Sequence, residues 1–309
     1  MASPYVLEMN DASNASRKLV KPQACTCLDW NPSGTQLVAG SYSGLAKVWS
    51  DTGELIHTLS RHEGPLFGAK WSASGEHILT AGIDRTAILW NASTGAETQV
   101  YSHHTKPILD LDWQDAETFA LSSIDKTVSL CNISKTEPVK IFKGHTDEVN
   151  SVKWNASKIL LASGSDDKTV RVWNPDSDVP VFTFAEHNKE IYTIQWGCSE
   201  SEHLIASSSF DAMVKVWDVQ TGVCLHTLKK HLGAVYALAF SPDGAYLATG
   251  SADHQLFIWS VKEGKLARTY KGRSGIFDAS WKNTGDKLAA CFADGTCVIL
   301  DPRQSMEVG

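Results

Sequence analysis

Apolar and polar positions alternate in short runs along almost the entire chain. From His145 to His187 the sequence HTDEVNSVKWNASKILLASGSDDKTVRVWNPDSDVPVFTFAEH holds three alternating apolar runs and then a fourth. Clusters of Asn, Ser, Gly and Asp separate them at intervals of roughly ten residues, the spacing of short strands joined by tight turns. This stretch is therefore predicted to form four antiparallel strands. An apolar period of 3.6 residues is nowhere sustained, so the expected elements include no helices.

The unit recurs, and tryptophan marks it. Trp30, Trp71, Trp113, Trp154, Trp196, then Phe240, then Trp281 form one ladder; Trp49, Trp90, then Cys131, Trp173, Trp217, Trp259 and Leu300 form a second. Members of the second stand 41, 41, 42, 44, 42 and 41 residues apart, and none of the 11 Trp falls outside the two ladders. Seven units follow, with three inner strands each over roughly 25–49, 66–90, 108–131, 149–173, 191–217, 235–259 and 276–300. Four-stranded units of this length, closing on an aromatic and polar pair such as Trp217-Asp218, resemble WD repeats. The expected fold class is all-β, a seven-bladed WD-repeat β-propeller with four antiparallel strands per blade.

An outer strand follows only six of the seven sets. DPRQSMEVG, after Leu300, is too short and polar to supply another, which leaves the apolar run Tyr5-Val6-Leu7 as the expected donor. Pairing the two chain ends in one blade would remove an open sheet edge. Residues 1–24 are accordingly expected to be a closing strand and linker, 25–303 the WD-repeat propeller, and 304–309 a C-terminal tail. Deleting residues 1–9 should then lower the melting temperature sharply.

Candidate chemistry repeats with the same period. His62, His104, His145, His187 and His231 stand nine residues before the first-ladder aromatic. Asp84, Asp125, Asp167, Asp211, Asp253 and Asp294 stand six before the second-ladder position, and Thr80, Ser163, Ser207 and Thr249 four before four of those Asp. His, Asp and a hydroxyl are the parts of a nucleophilic triad. A catalytic constellation occurs once, however, and neither a nucleophile elbow nor a metal-ligand pair at usable spacing is present. The reading preferred is structural: His donates to the Asp and accepts from Ser or Thr, and the second-ladder indole completes the chain. Four tetrads are expected, His62, Thr80, Asp84 and Trp90; His145, Ser163, Asp167 and Trp173; His187, Ser207, Asp211 and Trp217; His231, Thr249, Asp253 and Trp259. Unit one has Ala39 at the hydroxyl position, unit three Leu121 and Cys131, and unit seven Ala290 and Leu300, so these three should be the softer blades.

The position four residues before each first-ladder aromatic reads Thr26, Phe67, Leu109, Asn150, Tyr192, Tyr236 and Phe277. The position before each turn Asp reads Tyr42, Ile83, Ile124, Asp166, Phe210, Ala252 and Ala293. Both sets approach one rim, where polar residues are the rule. Six aromatics there, Tyr42, Phe67, Tyr192, Phe210, Tyr236 and Phe277, are hot-spot material, and Glu148, Asp166 and Glu190 add carboxylates. The combination suits an extended peptide carrying an apolar anchor and a Lys or Arg.

Charge narrows the partners. Lys and Arg number 28 against 35 Asp and Glu, a net charge of -7, the wrong sign for holding a phosphate backbone, so no direct nucleic-acid contact is expected. No run approaches 18 apolar residues, and MASPYVLEMNDASNASRK has neither the basic nor the long apolar region of a secretion signal; the expected compartment is cytosol or nucleus, with no membrane partner. The seven Cys include no CxxC and read as reduced thiols, with Cys224 and Cys297 placed as small buried hydrophobes. No cofactor, metal or small-molecule substrate is expected. Asn91-Ala-Ser and Asn155-Ala-Ser match the glycosylation pattern but read as turns.

Several stretches resemble the transducin β-like family more closely than WD repeats at large. They are TCLDWNPSGTQLVAGSYSGLAKVW (Thr26 to Trp49), GPLFGAKW (Gly64 to Trp71), HNKEIYTIQW (His187 to Trp196), SSSFDAMVKVWD (Ser207 to Asp218) and GIFDASWKNTGDKLAACFADGTCVILD (Gly275 to Asp301). The similarity runs from about residue 25 to 303 and includes the irregular units one, three and seven. It implies a non-enzymatic, nuclear scaffold in a transcriptional corepressor complex with a histone deacetylase, contacting histone tails, corepressor segments and transcription factors. The family propeller has eight blades, an N-terminal LisH segment and an F-box-like region; this chain has seven sets of inner strands and neither segment, so a trimmed form and a shortened relative both remain open. The alternative function is a substrate-recognition adaptor of a ubiquitin ligase, for which a Trp-Asp-x-Arg motif would speak and is nowhere intact.

Overall fold

The structure, a computed structural model, describes residues 25–294 and 296–302. It divides into two compact units, one ending at Lys143 and the other beginning at Gly144. In the first, three four-stranded sheets have inner strands Cys25–Trp30, Leu66–Trp71 and Ile108–Trp113. In the second, four sheets have inner strands Val149–Trp154, Ile191–Trp196, Val235–Phe240 and Ile276–Trp281. Every sheet pairs antiparallel in chain order. All are four-stranded except the last, where Ile276–Trp281, Leu288–Phe292 and Cys297–Leu300 are the strands among the described residues. The fold class is the expected one, all-β with seven propeller blades. Among the described residues the one helical element is a single 3₁₀ turn, Ser199–Ser201. Tyr5-Val6-Leu7, like all of 1–24 and 304–309, lies outside the described residues.

Alternation along the strands explains how the sheets stack. Successive residues of a strand point to opposite faces. Ile78 therefore joins Val38, Val48 and Leu59 of the preceding sheet, while its neighbour Leu79 joins Ile108, Leu111 and Phe119 of the following one. In the second unit Ile205 packs with Ala162 and Val172, whereas Leu204 and Ala206 pack with Val235 and Leu247. Middle strands bury both faces, and where they are polar, as in Leu161–Ser165 and Leu204–Ser209, the buried residues are small Ser side chains. Each fully buried Ile or Leu side chain contributes about 1.5–3 kcal/mol of hydrophobic stabilisation.

In the second unit two first-ladder indoles join neighbouring blades. Trp196 Nε1 donates to the carbonyl of Lys153 at 2.8 Å and Trp281 Nε1 to that of Ala239 at 3.0 Å. Both acceptors lie on the inner strand of the preceding blade. Trp30, by contrast, is 49% exposed.

Two cysteines differ from expectation. Cys224 is half-buried and Cys297 exposed. Cys224 lies on the outermost strand of its sheet, Val223–Leu228, where only one face meets apolar neighbours. Cys297 lies on Cys297–Leu300, opposite the face that packs Val298 and Leu300 into the apolar cluster.

Candidate functional site

The His, Asp, hydroxyl and Trp groups meet inside individual blades. His145 Nδ1 donates to Asp167 Oδ2 at 2.8 Å, its Nε2 accepts from Ser163 Oγ at 2.7 Å, and Trp173 Nε1 donates to the same oxygen at 2.8 Å. The chain repeats in His62–Asp84–Thr80–Trp90, His187–Asp211–Ser207–Trp217 and His231–Asp253–Thr249–Trp259. Each carboxylate also accepts the backbone N–H following the His, from Glu63, Thr146, Asn188 or Leu232. One Asp thus ties the loop leading into the inner strand to the turn between the second and third strands.

The environment fixes the charge states. Burial alone would raise the carboxyl groups, but hydrogen bonds from His145, Thr169 and Thr146 N–H hold Asp167 well below the carboxylate range. Against the same opposing burial, His187 and the Asn188 N–H bring Asp211 down to about 2. His145 and His231 are lowered by burial despite their Asp partners, which keeps the imidazoles neutral at neutral pH. Thr80, Ser163, Ser207 and Thr249 are fully buried, so no substrate reaches these hydroxyls. The networks have the parts of a triad and none of its access.

Blade three completes a network by a route the spacing did not reveal. Leu121 fills the usual hydroxyl slot, yet His104 Nδ1 meets Asp125 at 2.8 Å and its Nε2 meets Ser129 Oγ at 2.8 Å. His103 Nε2 approaches the same oxygen at 2.9 Å. With His104 Nε2 as acceptor, the Ser129 hydroxyl donates to it and receives the His103 N–H, a neutral arrangement. Burial, followed by the neighbouring His104, lowers His103 to about 4. In blade one, Ala39 leaves the buried Trp49 N–H without an acceptor among the described residues. In blade seven, Asp294 accepts from Thr296 within its own turn, and its N–H donates to Ser274.

The rim has a backbone cause. Every inner strand carries a bulge at one place: Ile191 pairs with Ser209 and Thr193 with Ser208, leaving Tyr192 unopposed. The same register shift leaves Thr26, Phe67, Leu109, Asn150, Tyr236 and Phe277 unopposed. A bulge re-aims the side chain of its extra residue. These seven are the positions four residues before the first-ladder aromatic, so the repeat presents one side chain per blade through a distortion in its ladder.

In the second unit the presented rings touch. Tyr192 and Tyr236 have centroids 5.0 Å apart, Tyr236 and Phe277 5.1 Å, Phe210 and Tyr236 5.9 Å, and Tyr192 and Phe210 6.1 Å. Tyr192 is 40%, Phe210 37% and Phe277 50% exposed, with Tyr236 half-buried at their centre. Acidic residues flank the same strands and turns. The carbonyl of Glu190 accepts the Phe210 N–H, and that of Glu148 accepts the Asp166 N–H. Asn150 Nδ2 donates to Asp166 Oδ1 at 2.6 Å and to the Ile191 carbonyl at 2.8 Å. Burial raises the Asp166 carboxyl; Asn150 opposes this, and the charges of Glu190, Asp147 and Asp167 reinforce it. Tyr42, 65% exposed, and half-buried Phe67 belong to the first unit. Exposed π faces beside crowded carboxylates can take an apolar anchor and a Lys or Arg.

Repeated blades, inter-strand His–Asp–hydroxyl–Trp networks and a bulge-presented rim define a WD-repeat propeller, and the chain belongs to the WD-repeat family: the WD domain, G-beta repeat model matches residues 17–50, 53–91, 95–132, 136–174, 178–218, 222–260 and 264–301. Within that family it is 46% identical over 286 residues to the mouse F-box-like/WD repeat-containing protein TBL1X, an alignment covering 90% of this chain and 54% of that protein. It is likewise 46% identical over 290 residues to the Arabidopsis thaliana WD40 repeat-containing protein HOS15, covering 92% of this chain and 47% of that one. The chain thus spans about half the length of these relatives. Among solved structures, the C-terminal WD40 domain of Sif2 superposes with a TM-score of 0.83 at 24% identity, covering 93% of this chain and 83% of that one, which shows a shared fold.

Proposed function

We propose that this WD-repeat protein is a non-enzymatic platform that holds extended protein segments on the rim of its second unit. The observation that carries the reading is the contact of Tyr192, Phe210, Tyr236 and Phe277, three of them more than a third exposed. Contiguous exposed aromatics are where binding energy concentrates, and the adjoining Asp166 and Glu190 favour a segment with a basic residue. The resemblance to transducin β-like proteins supplies the setting: a nuclear transcriptional corepressor complex with a histone deacetylase, in which histone tails, corepressor segments and transcription factors are the partners. The 46% identity to TBL1X supports that setting.

The test is affinity capture from nuclear extract with the wild-type chain and a Tyr192→Ala, Phe210→Ala double variant, each shown to be folded by circular dichroism. Corepressor and deacetylase subunits should be retained by the wild type and reduced at least tenfold with the variant, a loss of about 1.4 kcal/mol or more. Equal recovery by both would remove the rim from the account. Recovery of ubiquitin-ligase subunits in place of corepressor subunits would favour the substrate-adaptor alternative.

A further inference from the structure

The last sheet holds two thiols outside both the rim and the polar networks. Cys291, on Leu288–Phe292, and Cys297, on Cys297–Leu300, are direct cross-strand partners. The Phe292 N–H donates to the Thr296 carbonyl at 2.9 Å. That makes 292 and 296 a hydrogen-bonded pair, so the adjoining Cys291 and Cys297 form a non-hydrogen-bonded one. Opposed Cα atoms in such a pair stand about 4.5 Å apart, within the range a disulfide spans. The two Sγ atoms are already 3.8 Å apart.

Their surroundings favour reaction at one of them. Leu288, Ala290 and Leu300 point into the apolar cluster, while Cys297 lies exposed on the other face. The Cys291 S–H donates to the Cys297 sulfur, and this bond outweighs both burial and the Asp278 carboxylate to bring the Cys297 thiol down to about 7. Elsewhere burial prevails: it raises Cys25, Cys198 and Cys224 and pushes Cys27 and Cys131 up to about 12. An exposed, partly ionised thiol beside a resolving thiol is the arrangement that redox-sensitive sites share.

We infer that Cys291 and Cys297 form a redox-modification site, a dithiol that closes to a disulfide on reaction with a small-molecule disulfide such as oxidised glutathione. The Cys297 thiolate attacks one glutathione sulfur, forming a mixed disulfide and expelling a glutathione thiolate that takes up a proton. Cys291 then gives up its proton, and its sulfur attacks Cys297, expelling the second glutathione thiolate. Two protein thiols are oxidised by two electrons and one glutathione disulfide is reduced to two glutathione thiols. The product is a covalent clamp between the last two described strands of the seventh blade.

The experiment treats the full chain with oxidised or reduced glutathione at neutral pH, alkylates it with iodoacetamide, and maps the tryptic digest by mass. Both cysteines fall in the peptide from Leu288 to Arg303, which has no internal Lys or Arg. After oxidation this peptide should be two hydrogens lighter and lose both alkylation sites, and dithiothreitol should restore them. Cys291→Ser should instead trap a glutathione adduct on Cys297, and Cys297→Ser should leave Cys291 alkylatable. Full alkylation of both thiols after oxidation, or an adduct on wild-type Cys297 that never resolves, would overturn the assignment.

Discussion

Asp167 shows what one side chain does in this architecture. It accepts from His145, from the hydroxyl and backbone of Thr169, and from the Thr146 N–H, while almost fully buried. Asp167→Ala strands these donors and should cost about 1–3 kcal/mol, read by thermal or urea denaturation. A change within a few tenths of a kcal/mol would mean that the network carries no stability. Acid should act on all such sites in one direction. His145 and His231 bind protons less readily folded than unfolded, so their contribution is present above the unfolded value of roughly 6.5 and falls as pH drops below it. The depressed Asp carboxyls, Asp211 at about 2 among them, contribute fully above the unfolded value of roughly 3.9 and lose that contribution as pH falls toward their folded values. The melting temperature should therefore decline in two stages, first below pH ~6.5 and again below ~4; a profile flat down to pH ~5 would contradict the first. Ser129→Ala should cost about 1–3 kcal/mol in blade three by stranding both His103 and His104. An unchanged melting temperature would show that Ser129 does not replace the missing hydroxyl.

Blades were legible because strand length fixes spacing. Each four-stranded unit needs a near-constant number of residues to cross the sheet four times, so Trp90, Trp173, Trp217 and Trp259 recur in step and mark their partners at fixed offsets. The blade-three network escaped that logic because its hydroxyl comes from the third strand, Thr127–Asn132, and no offset from Asp125 on the second-strand side points to it. The rim was half legible. Aromatic residues at unexpectedly polar positions announced it, but the bulge that exposes them is a pairing irregularity with no residue signature: the unopposed position holds Thr26, Asn150 and Leu109 as readily as Tyr192. Cys297 is exposed against expectation because an alternating strand and a buried one look alike over four residues. In blade one, Ala39→Ser offers the Trp49 N–H the acceptor it lacks and should add up to about 1 kcal/mol. A lower melting temperature would mean that the slot has no room for the oxygen.

For the chain as a unit, a net charge of -7 and the charges of Glu190 and Asp147 close to Asp166 favour a basic segment over an acidic one. Association with a basic segment should weaken as salt rises, because exposed charges are screened over about 8–10 Å at physiological ionic strength. An affinity independent of salt would leave apolar contact as the sole attraction. The relatives that are 46% identical to this chain are about twice its length. The most direct measurement is amide hydrogen exchange with and without a partner segment recovered by capture. Protection should concentrate at 191–193, 208–212, 235–237 and 276–278, the bulges and turns that present the four rings. Protection confined to the outer strands, with those stretches exchanging as in the free protein, would contradict the rim as the place where proteins dock.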